Sequence, residues 1–203
     1  SRFREVISRR QDDLTVVLEN VHDPHNIAAV LRSCDSVGVY RIYVLYTEEH
    51  RELKDMKLGK RASAGARRWV DVHYYNDPEA CFRQVRSHCE RVLGTQLDEE
   101  SRNLYELDLT RSTALVFGNE HDGLSRETLA HCDGSFHIPQ AGMVQSLNIS
   151  VACAVSLYEA YRQRRAAGLY NEHSRFSAEQ QEALYQEYVR RHEARAANKS
   201  FKK

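Results

Sequence analysis

Net charge is what this sequence lacks most plainly. Its 203 residues carry 29 Lys+Arg against 29 Asp+Glu. A zero balance argues against a histone-like or tail-type nucleic-acid binder, which would be strongly basic. No apolar run approaches the length of a membrane span, and the opening SRFREVISRR has no signal-peptide apolar region. The five cysteines, Cys34, Cys81, Cys89, Cys132 and Cys153, form no CxxC pair and are odd in number. That argues against a zinc or disulfide framework and suits a reducing compartment. The expectations are a cytoplasmic location, no membrane and no metal.

The usual nucleotide and catalytic signatures are missing too. There is no G-x-G-x-x-G and no G-x-x-x-x-G-K-[ST], so NAD and ATP lose their main support. No H-E-x-x-H occurs, and the ten histidines do not cluster at metal-ligand spacing. The hydrolase elbow G-x-S-x-G is absent as well.

What is present is a soluble globular composition, 41% hydrophobic and 29% charged, on a chain long enough for a sizeable core. The zero charge is a sum of unlike parts. Residues 1–10, 51–70 and 161–203 carry +3, +5 and +5, while 11–50 and 71–160 carry −5 and −8. Arg outnumbers Lys 23 to 6. Charge alone reads as solvated helix faces, but Arg suits bidentate phosphate contacts better than Lys.

Short β-branched runs alternate with helical patterns. The runs are Leu14–Leu18, Ile42–Tyr46, Trp69–Tyr74, Arg91–Thr95, Ala114–Gly118 and Phe136–Ile138. Between them Ile27, Val30, Leu31, Cys34 and Val37 recur at helical spacing, with Asn26 as the expected N-cap. Asp77-Pro78 opens another helix, Ser125 caps a short one, and Ser177 with Gln180 forms a capping box. This alternation predicts an α/β fold: a mostly parallel sheet with helices on both faces. From Asn148 to Leu157 the apolar residues point all round the helix, which predicts burial on every side, one face against a partner subunit. The expected organisation is a basic helical arm over 1–12, an α/β core over 13–168 and a helical extension over 169–203.

Three polar clusters follow predicted strands, where open α/β sheets bind ligands. They are His22–Asn26 with the downstream Arg32, Phe117–Gly123, and Ile138–Asn148. Each residue also has an ordinary use. Asn26 can cap a helix, Arg32 can be a surface charge, Gly118 and Gly123 can serve turns, and Ser146 or Asn148 can cap the next helix. Three such loops on one sheet edge outweigh these uses taken singly.

Three motifs make the chain recognisable. N-I-A-A-V-L-R (Asn26 to Arg32), L-V-F-G-N-E-H-D-G-L-S (Leu115 to Ser125) and I-P-Q-A-G-M-V-Q-S-L-N-I-S-V-A (Ile138 to Ala152) resemble those of the SpoU–TrmH family. That family lies in the SPOUT class of knotted RNA methyltransferases. R-R-Q-D-D-L-T-V, V-H-D-P-H-N and Y-E-A-Y-R-Q-R-R-A-A-G-L-Y are similar to the branch that methylates the D-loop guanosine of tRNA. Gln140 and Ser33-Cys34 depart from the usual pattern at places not expected to be catalytic.

The resemblance implies a deep C-terminal trefoil knot, a homodimer and S-adenosyl-L-methionine as cofactor. It places the cofactor against Thr95, Gly118, Asn119, Ile138 and Leu147. It gives Arg32 the central catalytic role, with Asn26, Glu120, Ser146 and Asn148 around it. Arg9, Arg10, Arg164 and Arg165 are expected to contact tRNA. A guanidinium stays protonated, so Arg32 is read as stabilising charge on a ribose 2′-oxygen rather than as a simple base. The alternatives are a 2′-O-methyltransferase for ribosomal RNA or the tRNA anticodon, and a non-catalytic RNA-binding protein on the same fold.

Overall fold

Leu14–Glu19 forms strand β1, whose side chains alternate between two apolar cores: Leu14, Val16 and Leu18 enter one and Val17 the other. The same period of two runs through β2 (Arg41–Leu45) and β6 (Thr113–Phe117). Burial on both faces is what makes these strands continuously apolar. With β3 (Asp71–Tyr75), β4 (Arg91–Thr95), β5 (Arg102–Asn103) and β7 (Gly134–His137) they form one seven-stranded parallel sheet, ordered β3-β2-β1-β6-β4-β7-β5. The computed structural model describes residues 1–48, 66–171 and 175–200. Most of the basic stretch 51–70 therefore lies outside the described residues.

Helices cover both faces. Ile27, Val30, Leu31 and Cys34 of α2 (Pro24–Ser36) share one core with Ile149, Cys153, Leu157 and Ala160 of α5 (Ile149–Ala166). Cys81, Phe82 and Val85 of α3 (Pro78–Arg86) enter the other. The short α4 (Arg126–Ala130) is capped by Ser125, whose Oγ accepts from the Thr128 N–H at 3.1 Å. Asp77 caps α3, as its Asp-Pro step predicts. The two-residue β5 escapes sequence analysis because so short an edge strand has no periodicity to read.

One cap differs from expectation. Asn26 does not cap α2; Asp23 does, its Oδ1 accepting from the His25 N–H at 2.8 Å. Pro24 occupies the first helical position, which suits a residue without an N–H. Asn26 thus lies inside the first turn, and its side chain is left for another use.

Helix α1 (Arg2–Ser8) packs on α6 (Ala178–Ser200) through rings. Phe3 lies 5.5 Å from Trp69 and 6.2 Å from Tyr188, and Arg191 of α6 reaches Asp71 at 2.7 Å. The Ser177–Gln180 capping box starts α6, with bonds of 3.2 and 2.9 Å.

Two arginines placed at the RNA surface by the resemblance are instead interior. Arg10 and Arg164 are 1% and 0% exposed. Arg164 donates through Nε to the Leu109 carbonyl at 2.9 Å and through Nη1 to Asp13 at 2.8 Å and Gln11 at 3.0 Å. Its Nη2 donates to the carbonyls of Arg111 at 2.9 Å and Asp13 at 3.4 Å. Arg10 reaches Tyr188 at 3.0 Å, Asp35 at 2.6 Å, and the carbonyls of Trp69, Asp35 and Val39. A guanidinium has five N–H donors, and in both residues the fold supplies five acceptor contacts. Buried charge of this kind is tolerated only when paired and hydrogen-bonded.

Removing one partner of a buried ion pair costs about 3–5 kcal/mol. Arg164→Ala is therefore expected to lower the free energy of unfolding, measured by urea titration, by an amount in that range. The neighbouring exposed Arg165→Ala should stay within about 0.5 kcal/mol of wild type. Acid should loosen α6 separately. Arg190, then Arg191, hold the Glu187 carboxyl down to about 2. Its folded pKa is below the unfolded value, so its support is complete above about pH 4.3 and is lost as pH falls towards 2. Glu187→Gln should flatten the loss of α6 docking between about pH 4.3 and 2, followed by Trp69 fluorescence.

Candidate active site

The parallel strands bring the ends of β1, β4, β6 and β7 to one sheet edge. Chain connections diverge at the β1–β6 pair: β2 and β3 lie on one side, β4, β7 and β5 on the other. The crevice outside such a switch point is where ligands enter open α/β sheets.

The loop after β6 is built by two glycines. A Cβ on Gly118 would stand 2.3 Å from the backbone carbon of Gly123, so the chain can double back only with glycine there. Gly123 has φ +67°, and its N–H donates to the Asn119 carbonyl at 3.0 Å. The Asn119 side-chain oxygen accepts from the His121 N–H at 2.7 Å and closes the turn. Glu120 projects from this turn.

The N-terminus of α5 meets Glu120 directly, and that of α2 reaches it through Asn148. Glu120 Oε1 accepts from the Ile149 N–H at 3.1 Å and from Asn148 Nδ2 at 2.9 Å. The same Nδ2 donates to Asn26 Oδ1 at 3.2 Å. Asn148 caps α5, its Oδ1 accepting from the Ser150 N–H at 2.9 Å and from Ser150 Oγ at 2.6 Å. Both ends of the Asn148 amide are therefore committed, and its orientation follows from its neighbours. A carboxylate also suits the positive end of a helix dipole. Asn26, Glu120 and Asn148 form one continuous polar chain.

Arg32 and Ser146 stand apart from that chain. Arg32 lies six residues beyond Asn26 on α2, about 9 Å further along the axis. It is exposed and makes no hydrogen bond or ion pair with any described residue. Ser146 is exposed at the rim of a neighbouring cleft.

This cleft, about 240 Å³ in volume, opens between the loops after β4, β6 and β7. Thr95, Gly118, Asn119, Ile138 and Leu147 all line it, and Glu120 lies on its edge. Phe117, Phe136, Ile149 and Ala152 add apolar wall that sequence reading does not assign. Their signal is only that of core residues. Among the described residues, no group of three or more His, Cys, Asp or Glu side chains could hold a metal ion. No described helix is long and apolar enough to cross a membrane.

Sequence reading also misses Glu19 and Asn20. Asn20 is the one non-glycine described residue with positive φ, 53°, a conformation that asparagine tolerates. Its carbonyl accepts from Asn119 Nδ2 at 3.3 Å, and its side chain bonds both the N–H and the hydroxyl of Thr47. Glu19, 0% exposed, sits directly below it. Of the four arginines expected at RNA, Arg9 and Arg165 are exposed, with Arg9 3.1 Å from Glu5.

Known proteins share this sequence pattern and fold. The sequence profile of the SpoU rRNA Methylase family matches residues 13–158. A tRNA (guanosine(18)-2′-O)-methyltransferase of Thermus thermophilus is 45% identical over 170 residues, covering 84% of this chain and 85% of that protein. The crystal structure of the A. aeolicus TrmH/SpoU tRNA modifying enzyme superposes with a TM-score of 0.78 at 35% identity, covering 92% of both chains. The SpoU methyltransferase AviRb from Streptomyces viridochromogenes, in complex with the cofactor AdoMet, gives 0.65 at 30% identity, covering 79% of this chain and 64% of that one. The profile spans the sheet and all three polar loops, and the relatives extend the likeness over most of the chain: it belongs to the SpoU methylase family.

Proposed function

We propose that this protein methylates the 2′-hydroxyl of a ribose in tRNA, the D-loop guanosine at position eighteen, with S-adenosyl-L-methionine as donor. The observation that carries the reading is the Asn26–Asn148–Glu120 chain at the mouth of the cleft. It joins the three motifs of a family whose relatives are named for this reaction. The cleft suits the cofactor on its own chemistry. Ile138, Leu147 and Phe136 offer apolar walls to a flat base, and backbone beside Gly118 can meet its polar edge. No phosphate-binding loop is needed, because this cofactor has no phosphate.

Bound there, S-adenosyl-L-methionine supplies an already activated methyl group. The residues then have to orient a ribose and handle its 2′-proton. Arg32, unpaired within the described fold, pairs with an RNA phosphate and stabilises negative charge on the 2′-oxygen, whose proton leaves through the guanidinium, a phosphate oxygen or water. Glu120 holds the Asn148 amide and the first N–H of α5, and Asn148 in turn holds Asn26. Ser146 holds the ribose or the cofactor's tail, while Asn148, its amide already committed, acts there through Asn26. Arg9 and Arg165 contact the RNA backbone, and the reading calls on no metal.

The same reading includes a cytoplasmic homodimer and a trefoil knot in the C-terminal part of the sheet. It divides the chain into an arm over 1–12, a core over 13–168 and an extension over 169–203. Support for the dimer lies on α5. Its inward face is packed, yet Val151 and Tyr158, one heptad apart, are 46% and 51% exposed. An apolar stripe of this kind is what a partner helix covers.

Transcribed tRNA incubated with labelled cofactor should gain one methyl group at guanosine eighteen. Label on ribosomal RNA or an anticodon instead would redirect the substrate assignment. Arg32→Ala should lower the transfer rate at least about a hundredfold, the order seen when one transition-state donor is removed, with cofactor binding intact by calorimetry. Substantial turnover by that variant would remove Arg32 from the centre of the mechanism. Val151→Lys with Tyr158→Lys should convert a dimer to a monomer by light scattering. A wild-type monomer with full activity would end the dimer proposal.

A further inference from the structure

Glu19 has no place in the mechanism above, yet it is the described acidic side chain most completely enclosed by donors. It is fully buried and has no ion-pair partner among the described residues. Its Oε1 accepts from Thr47 Oγ1 at 2.9 Å, Ser125 Oγ at 2.5 Å and Thr128 Oγ1 at 2.6 Å. Its Oε2 accepts from the Ser125 N–H at 2.9 Å. The donor directions are set by further bonds. Thr47 Oγ1 accepts from Asn20 Nδ2, and Ser125 Oγ accepts from the Thr128 N–H. Glu19 therefore acts as an acceptor on both oxygens.

A buried carboxyl group is an expensive way to fill space, and an apolar residue would often serve stability as well or better. Three of the four donor bonds come from Ser125 and Thr128, at the start of α4. Ser125 is also where the loop that left β6 at Gly118 returns. The loop's departure is held by the β1–β6 ladder, in which Leu18 pairs with Phe117. Its return is held by Glu19, the residue after Leu18. Its middle is held by Asn20, through Asn119. Glu120 stands on the segment so clamped.

We propose that Glu19 is a positioning residue for methyl transfer. By receiving Ser125 and Thr128 it sets where Glu120 stands, and through Glu120 it places Asn148 and Asn26. The proposal rests on the functional reading above for its kinetic consequences. Its structural consequence can be read without cofactor or RNA.

The test is Glu19→Gln, a nearly isosteric change that turns one acceptor oxygen into a donor amide. That amide must face either the Ser125 N–H or the three hydroxyls. In the cofactor-free protein, the 1H–15N signal of Ile149, whose N–H bonds Glu120, should shift in E19Q. In the methyl-transfer assay kcat should fall at least about tenfold, with KM for tRNA within about twofold of wild type. The double variant E19Q/E120Q should be no slower than E120Q alone, because one residue acts through the other. Additive losses, wild-type kcat in folded E19Q, or an unmoved Ile149 signal would each overturn the proposal. Should E19Q fail to fold, Thr128→Val deletes a single donor of the same cluster and is judged by the same three readouts. A wild-type protein that transfers no methyl to tRNA would count against the functional reading alone, since the Ile149 signal still decides the positioning.

Discussion

The register of α5 depends on a guanidinium that never meets water. Arg164 sits in the last turn of that helix, where a cation also suits the dipole, and spends its donors on two separate parts of the chain, residues 11–13 and 109–111. At the other end of α5, Asn148 caps the helix and Glu120 receives its first N–H. Eighteen residues of helix are thereby held at both ends. A helix allowed to rotate or slide would carry Asn148 away from Asn26, and the polar chain at the sheet edge would break. Arg10 does the equivalent for the terminal helices, joining the end of α1 to α2 and to Tyr188 of α6.

These two charges change what the neutral balance means. Arg10 and Arg164 belong to basic ends of the sequence, but their charge is compensated inside the fold. The arginines that remain outside, such as Arg9, Arg32 and Arg165, are the ones a polyanion can reach. Counting Lys and Arg therefore overstates the basic surface at both termini. It says nothing of Arg32, whose distinction is to lack an internal partner among the described residues.

Local signals are legible in the sequence and long-range ones are not. β4 begins and ends where its apolar run does, and Asp77, Ser125 and Ser177 cap the helices assigned to them. Each of these depends on neighbours within four residues. Asn26 reads as a cap because Asn is a good one, while Asp23-Pro24 a few residues earlier is a better start. The three motif loops stand out because each gathers polar side chains and glycine or proline within a few residues of a strand end. Arg164 and Glu19 stay opaque, because their partners lie far away in sequence: Asp13 for one, Ser125 for the other. Nothing near an arginine in a basic run, or an acid ending a strand, announces that it is buried.

The sheet order has a consequence for how the molecule comes into being. β1 is made before the rest of the sheet, yet one of its two neighbours, β6, begins about a hundred residues later, with Leu14 pairing to Thr113. Until that stretch exists, one edge of a strand buried along its whole length has no partner. Pairings of such long span close slowly, since loop entropy is lost before contacts repay it. Arg10 waits longer still, because Tyr188 follows it by 178 residues. Until those later residues are made, the nascent chain carries an open strand edge and an arginine without its native partners, a state in which aggregation competes with folding.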